Sequence, residues 1–225
     1  MKPTRICLVG ATGLVGSRVI AQAVDRPEVR IVGVARREAT LPRGARMEML
    51  LAEPAGWGDA IAASRAKVLV CALGTTIRKE GNDREAFRAI DHDLVLQCGR
   101  AARAAGIGHM IVVSSVGADL ASRNFYLRVK AETEYALGKL GLARLDILRP
   151  GLLRGRRSER RPAERLVMRL SPALDALLHG GLRRFRSIRS DTVAQAILAL
   201  AREKGGGRFV HEYDAMLRAV RRGER

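Results

Sequence analysis

The residues with the clearest chemical potential lie between positions 114 and 130. An apolar run, Met110-Ile-Val-Val113, ends in Ser114-Ser115, and Tyr126-Leu-Arg-Val-Lys130 follows at the start of a helical pattern. Residues four apart share one helix face, so Tyr126 and Lys130 can act together. An ammonium beside a phenol favours the phenolate, which lets a tyrosine exchange its proton closer to neutral pH. A serine hydroxyl at the strand end can hold a carbonyl oxygen. Ser115, Tyr126 and Lys130 are therefore the candidate catalytic residues, suited to moving a proton at an oxygen while a hydride moves at the adjacent carbon. The Tyr-x-x-x-Lys spacing alone arises by chance in many helices, and its place after a strand end is what gives it weight.

A second cluster could hold the hydride carrier. The first apolar run enters Gly10-Ala-Thr-Gly13-Leu-Val-Gly16 and then a helical pattern, the strand, turn and helix order that a phosphate cradle requires. The first glycine permits a tight turn, the second lets backbone approach a pyrophosphate, and the third lets the helix pack close. Free N–H groups and the positive end of the helix dipole then face the phosphates. The spacing departs from the usual G-x-G-x-x-G. At the end of the second strand, where an NAD site places a carboxylate for the ribose 2′-hydroxyl, stand Arg36-Arg37, with Glu38 one position later. Two guanidinium forks suit a 2′-phosphate, so NADP(H) is the expected cofactor.

Loop, serine pair and Tyr-x-x-x-Lys together resemble the short-chain dehydrogenase/reductase superfamily in its extended or atypical branch. A narrower set, Cys71-Ala-Leu-Gly-Thr-Thr76, Ser114-Ser-Val-Gly-Ala118, Asn124-Phe-Tyr-Leu-Arg-Val-Lys130, Arg149-Pro-Gly-Leu-Leu153 and Glu159-Arg-Arg-Pro162, resembles the HIV Tat-interacting protein family across roughly residues 5 to 200. This resemblance implies that Gly10, Thr12, Gly13, Leu14 and Val15 hold the pyrophosphate and that Arg36 and Arg37 hold the 2′-phosphate. It also implies that Leu73, Gly74 and Thr75 line the adenosine ribose, and that Pro150, Gly151 and Leu152 lie beside the nicotinamide. Ser115, Tyr126 and Lys130 take the reductase roles, with Lys130 also bonding the nicotinamide ribose. One departure is visible: Ala72-Leu-Gly-Thr75 replaces the asparagine-containing turn with which many superfamily members complete a proton relay. Some proteins of the resembled family bind NADPH as regulators or protein partners, so a non-catalytic sensing module is the first rival reading.

The elements that must position these groups alternate along the chain. Apolar runs at 5–9, 30–35, 67–73, 109–114 and 145–148 read as strands, and 15–24, 84–105 and 131–140 as helices. Gly106, Gly108 and Gly141 stand where helices should end. This predicts an α/β fold, a Rossmann-type doubly wound parallel sheet with a small C-terminal helical cap, forming one domain over 1–225. The core spans 1–150, and 151–225 forms the substrate side over the carboxyl edge of the sheet. Within the latter we expect an arginine-rich helix near 163–170, a loop at Gly180-Gly181, a helix over 191–202 and a strand over 208–211.

Composition narrows the function classes. The chain has 225 residues, 47% of them hydrophobic, and a net charge of +18, with the excess concentrated after residue 150. A polyanion-binding protein is therefore the second rival, although the late arginines lack the interleaved aromatics of a stacking platform and specific nucleic-acid binding is not expected. No run is long enough for a membrane span or a signal peptide, so a cytoplasmic location is expected. Cys7, Cys71 and Cys98 read as reduced core residues. His92, His109, His179 and His211 are scattered, which gives no metal-ligand spacing. Asp91-His92-Asp93 reads as a solvated or capping segment of a helix.

Overall fold

The computed structural model describes residues 2–38, 40–45, 47–155, 175 and 178–224. Near-continuous apolar runs bury strands on both faces, and that favours a parallel sheet covered by helices on each side. In β1 (Thr4–Val9), residues Ile6, Cys7, Leu8 and Val9 are fully buried. Ile6 and Leu8 face one layer with α1 (Leu14–Ala23) and the helix Ser190–Leu200. Cys7 and Val9 face the other, with α2 (Trp57–Ala63) and α4 (Val95–Ala104). All three cysteines are buried there, and burial pushes the Cys7 thiol up to about 11.

The remaining strands of the main sheet are β2 (Val29–Ala35), β3 (Glu48–Leu51), β4 (Val68–Cys71), β5 (His109–Val113), β6 (Arg144–Leu148) and β9 (Gly207–His211). They pair in parallel in the order β3-β2-β1-β4-β5-β6-β9. The chain starts mid-sheet, builds outward to β3, then returns past β1 to build the other half. That reversal opens a crevice at the carboxyl ends of β1 and β4, where ligands bind in such sheets. The expected doubly wound α/β architecture is the one found.

Several elements differ from expectation. The single helix expected over 84–105 is a continuous helical run of three parts: α3 (Arg84–Arg88), a π turn (Ala89–Leu94) and α4. Asp83 caps it, its carboxylate accepting from the N–H groups of Glu85 and Ala86. Likewise Asn124 caps α5 (Phe125–Gly138), which begins earlier than the 131–140 pattern because the cap sets its first turn. Gly106 and Gly141 do follow helices with positive φ, as a left-handed terminus requires. β3, α2 and the final helix Tyr213–Gly223 were not expected.

Beyond Pro150, β7 (Leu153–Arg154) pairs in parallel with β8 (Ile188–Arg189). This small sheet lies against the glycine loop, since a Cβ on Gly155 would stand 2.7 Å from the Leu14 side chain. Gly180 and Gly181, expected as a loop, open a 3-10 turn that runs to Phe185. The arginine-rich helix expected near 163–170 lies outside the described residues. In β6, fully buried Asp146 accepts from His109 at 2.8 Å, His211 at 2.7 Å and Arg144 at 2.6 Å. It thereby ties β5, β6 and β9 together.

Candidate functional site

The glycine loop is shaped by what its residues lack. Gly10 has φ +87°, a left-handed conformation that glycine adopts without strain, and a Cβ there would lie 2.6 Å from the Ala72 carbonyl carbon. A Cβ on Gly16 would overlap the Gly10 carbonyl oxygen, so α1 can pack onto the loop only without one. Gly13 is the N-cap of α1, with no side-chain cap and no acidic residue in the first turn. The first N–H groups of α1 therefore point outward without an internal acceptor. Thr12 is exposed and Leu14 half-buried at this mouth, whereas the Val15 side chain is in the core, leaving its backbone as the part that can face a ligand. Arg36 and Arg37 are exposed just past β2, and among the described residues neither has a carboxylate partner.

Across the crevice, Leu73, Gly74 and Thr75 follow β4. Thr75 donates its backbone N–H to Asp91 Oδ2 at 2.8 Å and its hydroxyl to Glu80 at 2.6 Å. Asp91, read from the sequence as solvated or capping, is fully buried, and this corrects that expectation. Its other oxygen, Oδ1, lies 2.6 Å from Lys130 Nζ, and its backbone carbonyl accepts the Thr133 hydroxyl at 3.0 Å. The π turn rotates Asp91 inward under Gly74. A signal for it existed in the sequence: Phe87, Asp91, Val95, Cys98 and Ala102 recur at helical spacing and all are buried, so Asp91 sits on an apolar stripe.

Lys130 is buried on the inner face of α5, its Nζ 5.9 Å from the centre of the Tyr126 ring. Burial pulls the ammonium pKa down, yet the Asp91 carboxylate and Tyr126 outweigh that and hold it above the usual lysine value. Tyr126 is half-buried with its ring tilted 5.6 Å from that of Phe87. Ser115 is half-buried, and among the described residues its hydroxyl makes only a 3.3 Å bond to the next carbonyl. Pro150 is brought beside it, since Val116 donates to the Pro150 carbonyl at 3.0 Å. Gly151 is pressed against the Arg186 and Phe185 backbone, and Leu152 is exposed. The sequence-derived residues thus gather at the carboxyl ends of β1, β2, β4, β5 and β6. Asp91 is the one that sequence reasoning left out.

The HIM1 family profile matches residues 61–179. A protein named Fmp52, mitochondrial, from Emericella nidulans is 32% identical over 198 residues, covering 85% of this chain and 84% of that one. The Debaryomyces hansenii protein of the same name is 31% identical over 154 residues, 68% of each. The chain belongs to the HIM1 family. That is the family shown for the segment whose motifs resemble the Tat-interacting proteins. The relatives of this HIM1-family chain are named mitochondrial, which overturns the cytoplasmic expectation. No described helix is long and apolar enough to cross a membrane.

Solved structures agree on the fold. A Bacillus halodurans chain assigned to the NAD-dependent epimerase/dehydratases has a TM-score of 0.69 at 21% identity, covering 97% of this chain and 99% of that one. The Bordetella bronchiseptica enzyme WbmH, solved with NAD+, has a TM-score of 0.69 at 16% identity, covering 94% and 75%. A UDP-glucose 4-epimerase of Thermotoga maritima has a TM-score of 0.69 at 15%, covering 92% and 76%. The HIM1-family chain thus has the Rossmann-like α/β fold of these neighbours.

Proposed function

We propose that this chain binds NADP(H) across the crevice between β1 and β4 and works as a short-chain-type oxidoreductase on a carbonyl or alcohol. The observation that carries this reading is Lys130, buried, held charged by Asp91, and sharing one face of α5 with Tyr126. The chain's donor set suits a dinucleotide: a side-chain-free backbone at Gly10 and Gly13, N–H groups at the start of α1 with no side-chain cap, and Arg36 and Arg37 with no carboxylate partner among the described residues. Leu73, Gly74 and Thr75 would flank the adenosine ribose, with Pro150, Gly151 and Leu152 on the nicotinamide side.

When bound, the cofactor supplies or accepts the hydride at the substrate carbon. Ser115 would hold the substrate oxygen. Tyr126 would give that oxygen its proton in reduction and take it back in oxidation. Lys130 would place its charge beside the Tyr126 ring and bond the nicotinamide ribose. The solved neighbours with NAD in their descriptions support a nicotinamide cofactor, and Arg36-Arg37 supports NADP(H) in particular. A polyanion site is less well supported, because two of the described late arginines are paired within the chain: Arg183 with Asp214 at 2.7 Å and Arg222 with Glu203 at 2.7 Å.

The test pairs binding with turnover. NADPH should bind Tyr126→Phe as tightly as wild type, while NADPH oxidation across an aldehyde and ketone panel should vanish. Persistent activity in that variant would sink the mechanism, and tight binding without turnover in wild type would favour the sensing module.

A further inference from the structure

Asp91 has two oxygens and two different partners, on two different segments of the site. Oδ2 accepts from the Thr75 backbone, which belongs to the loop after β4, and Oδ1 pairs with Lys130, which belongs to α5. The carboxylate is fully buried, and a buried carboxylate persists only with such partners. It is delivered by a π turn, a device that recurs at functional sites because it re-aims a side chain without ending the helix. Gly74 closes over the pair: a Cβ there would lie 3.7 Å from Asp91 Oδ1 and 3.9 Å from Lys130 Nζ. Lysine carries its charge on a flexible four-carbon stem, so something must choose where Nζ points.

We infer that Asp91 is a positioning residue that fastens Lys130 to the Leu73–Thr75 loop, so that the ammonium is aimed at the dinucleotide only while that loop is seated. The inference rests on the reading that a dinucleotide lies against this loop and Lys130. It gives the ion pair a job that spans two elements: displacing the loop pulls Asp91, and Asp91 moves the lysine.

The test reads NADPH affinity by cofactor fluorescence, with thermal melting to confirm folding, in Asp91→Asn, Lys130→Met and the double variant. Asparagine keeps an acceptor for the Thr75 N–H but loses the charge. If Asp91 acts through Lys130, each single variant should weaken NADPH by about tenfold and the double should be no weaker than Lys130→Met alone, the mark of coupled sites. Losses that multiply, or an Asp91→Asn affinity equal to wild type, overturn the inference. Where a single variant buries a lone charge and fails to fold, two neutral doubles replace it. With Lys130→Met in both, Asp91→Ala and Asp91→Asn should then bind NADPH alike, within about twofold, because no ammonium remains for residue 91 to aim. A further loss of about tenfold in the alanine double would overturn it. Wild type that binds neither NADPH nor NADH would instead remove the dinucleotide reading, and this inference with it.

Discussion

Ser114 donates its hydroxyl to Glu134 at 2.5 Å, across the gap between the end of β5 and the buried face of α5. Glu134 is also held by Arg149 at 2.5 Å. The two adjacent serines therefore differ in kind: Ser114 joins a strand to a helix, while Ser115 keeps a loosely held hydroxyl at the site. Ser114→Ala should cost about 1–3 kcal/mol in chemical denaturation by leaving a buried acceptor short of a donor. Ser115→Ala should cost under about 0.5 kcal/mol, yet lower any carbonyl turnover by roughly 10²-fold. The opposite pattern would reverse the assignment.

Arg36 and Arg37 should set cofactor choice. Replacing either with alanine removes charge-assisted bonds to a 2′-phosphate, each worth about 1.5–3 kcal/mol, and should raise the NADPH dissociation constant at least tenfold. NADH binding should change less than twofold, roughly the noise of a titration. Parallel titrations with the two dinucleotides check this, and equal losses for both would reject the 2′-phosphate role.

Asp146 should make stability fall in acid. Burial alone would raise its pKa, but the hydrogen bonds from His109, His211 and Arg144 hold its carboxyl well below the usual range. A depressed folded pKa means that its stabilisation is fully present above the unfolded value, about 3.9, and fades as pH drops below it. Asp146→Asn should cost roughly 3–5 kcal/mol at neutral pH by breaking a buried pair. Denaturation midpoints measured from pH 7 to pH 3 should also decline less steeply in the variant. An equally steep decline would show that other carboxylates govern acid unfolding.

Two glycines with the same backbone handedness should respond differently to alanine. Gly10 and Gly81 both have positive φ, at +87° and +66°, but a Cβ on Gly81 would meet nothing within 4 Å, whereas on Gly10 it would strike Ala72. Gly81→Ala should cost only the left-handed strain of about 1–2 kcal/mol. Gly10→Ala should add overpacking of roughly 1–3 kcal/mol and abolish dinucleotide binding. Similar melting temperatures for the two variants would contradict the tight approach of loop to β4.

The sheet was readable because its strands are short apolar runs buried on both faces, and the glycine loop because it joins one of them to a helix. β3 was hidden, since Glu48 in it is placed by Arg5 and Arg30 reaching across from β1 and β2, a pairing that no local pattern encodes. The final helix carries its buried contacts on Met216 and Ala219 amid arginines and other polar residues, so its apolar stripe is thin. That Tyr126 and Lys130 share one face of α5, and that Ser115 follows the end of β5, could be read from spacing. Asp91 could not be reached by treating Asp91-His92-Asp93 as a unit, because neighbours in a helix point in different directions and only the first lies on the buried stripe.

The π turn at Ala89–Leu94 also bears on how this chain can change length. Val95 lies eight positions after Phe87, where two ordinary helical turns take about seven. The surplus residue is absorbed in that one turn, so dropping one there, such as His92, would leave both flanking helices in phase with the cores they already fill. Elsewhere in the run the same deletion would rotate everything beyond it by about 100°.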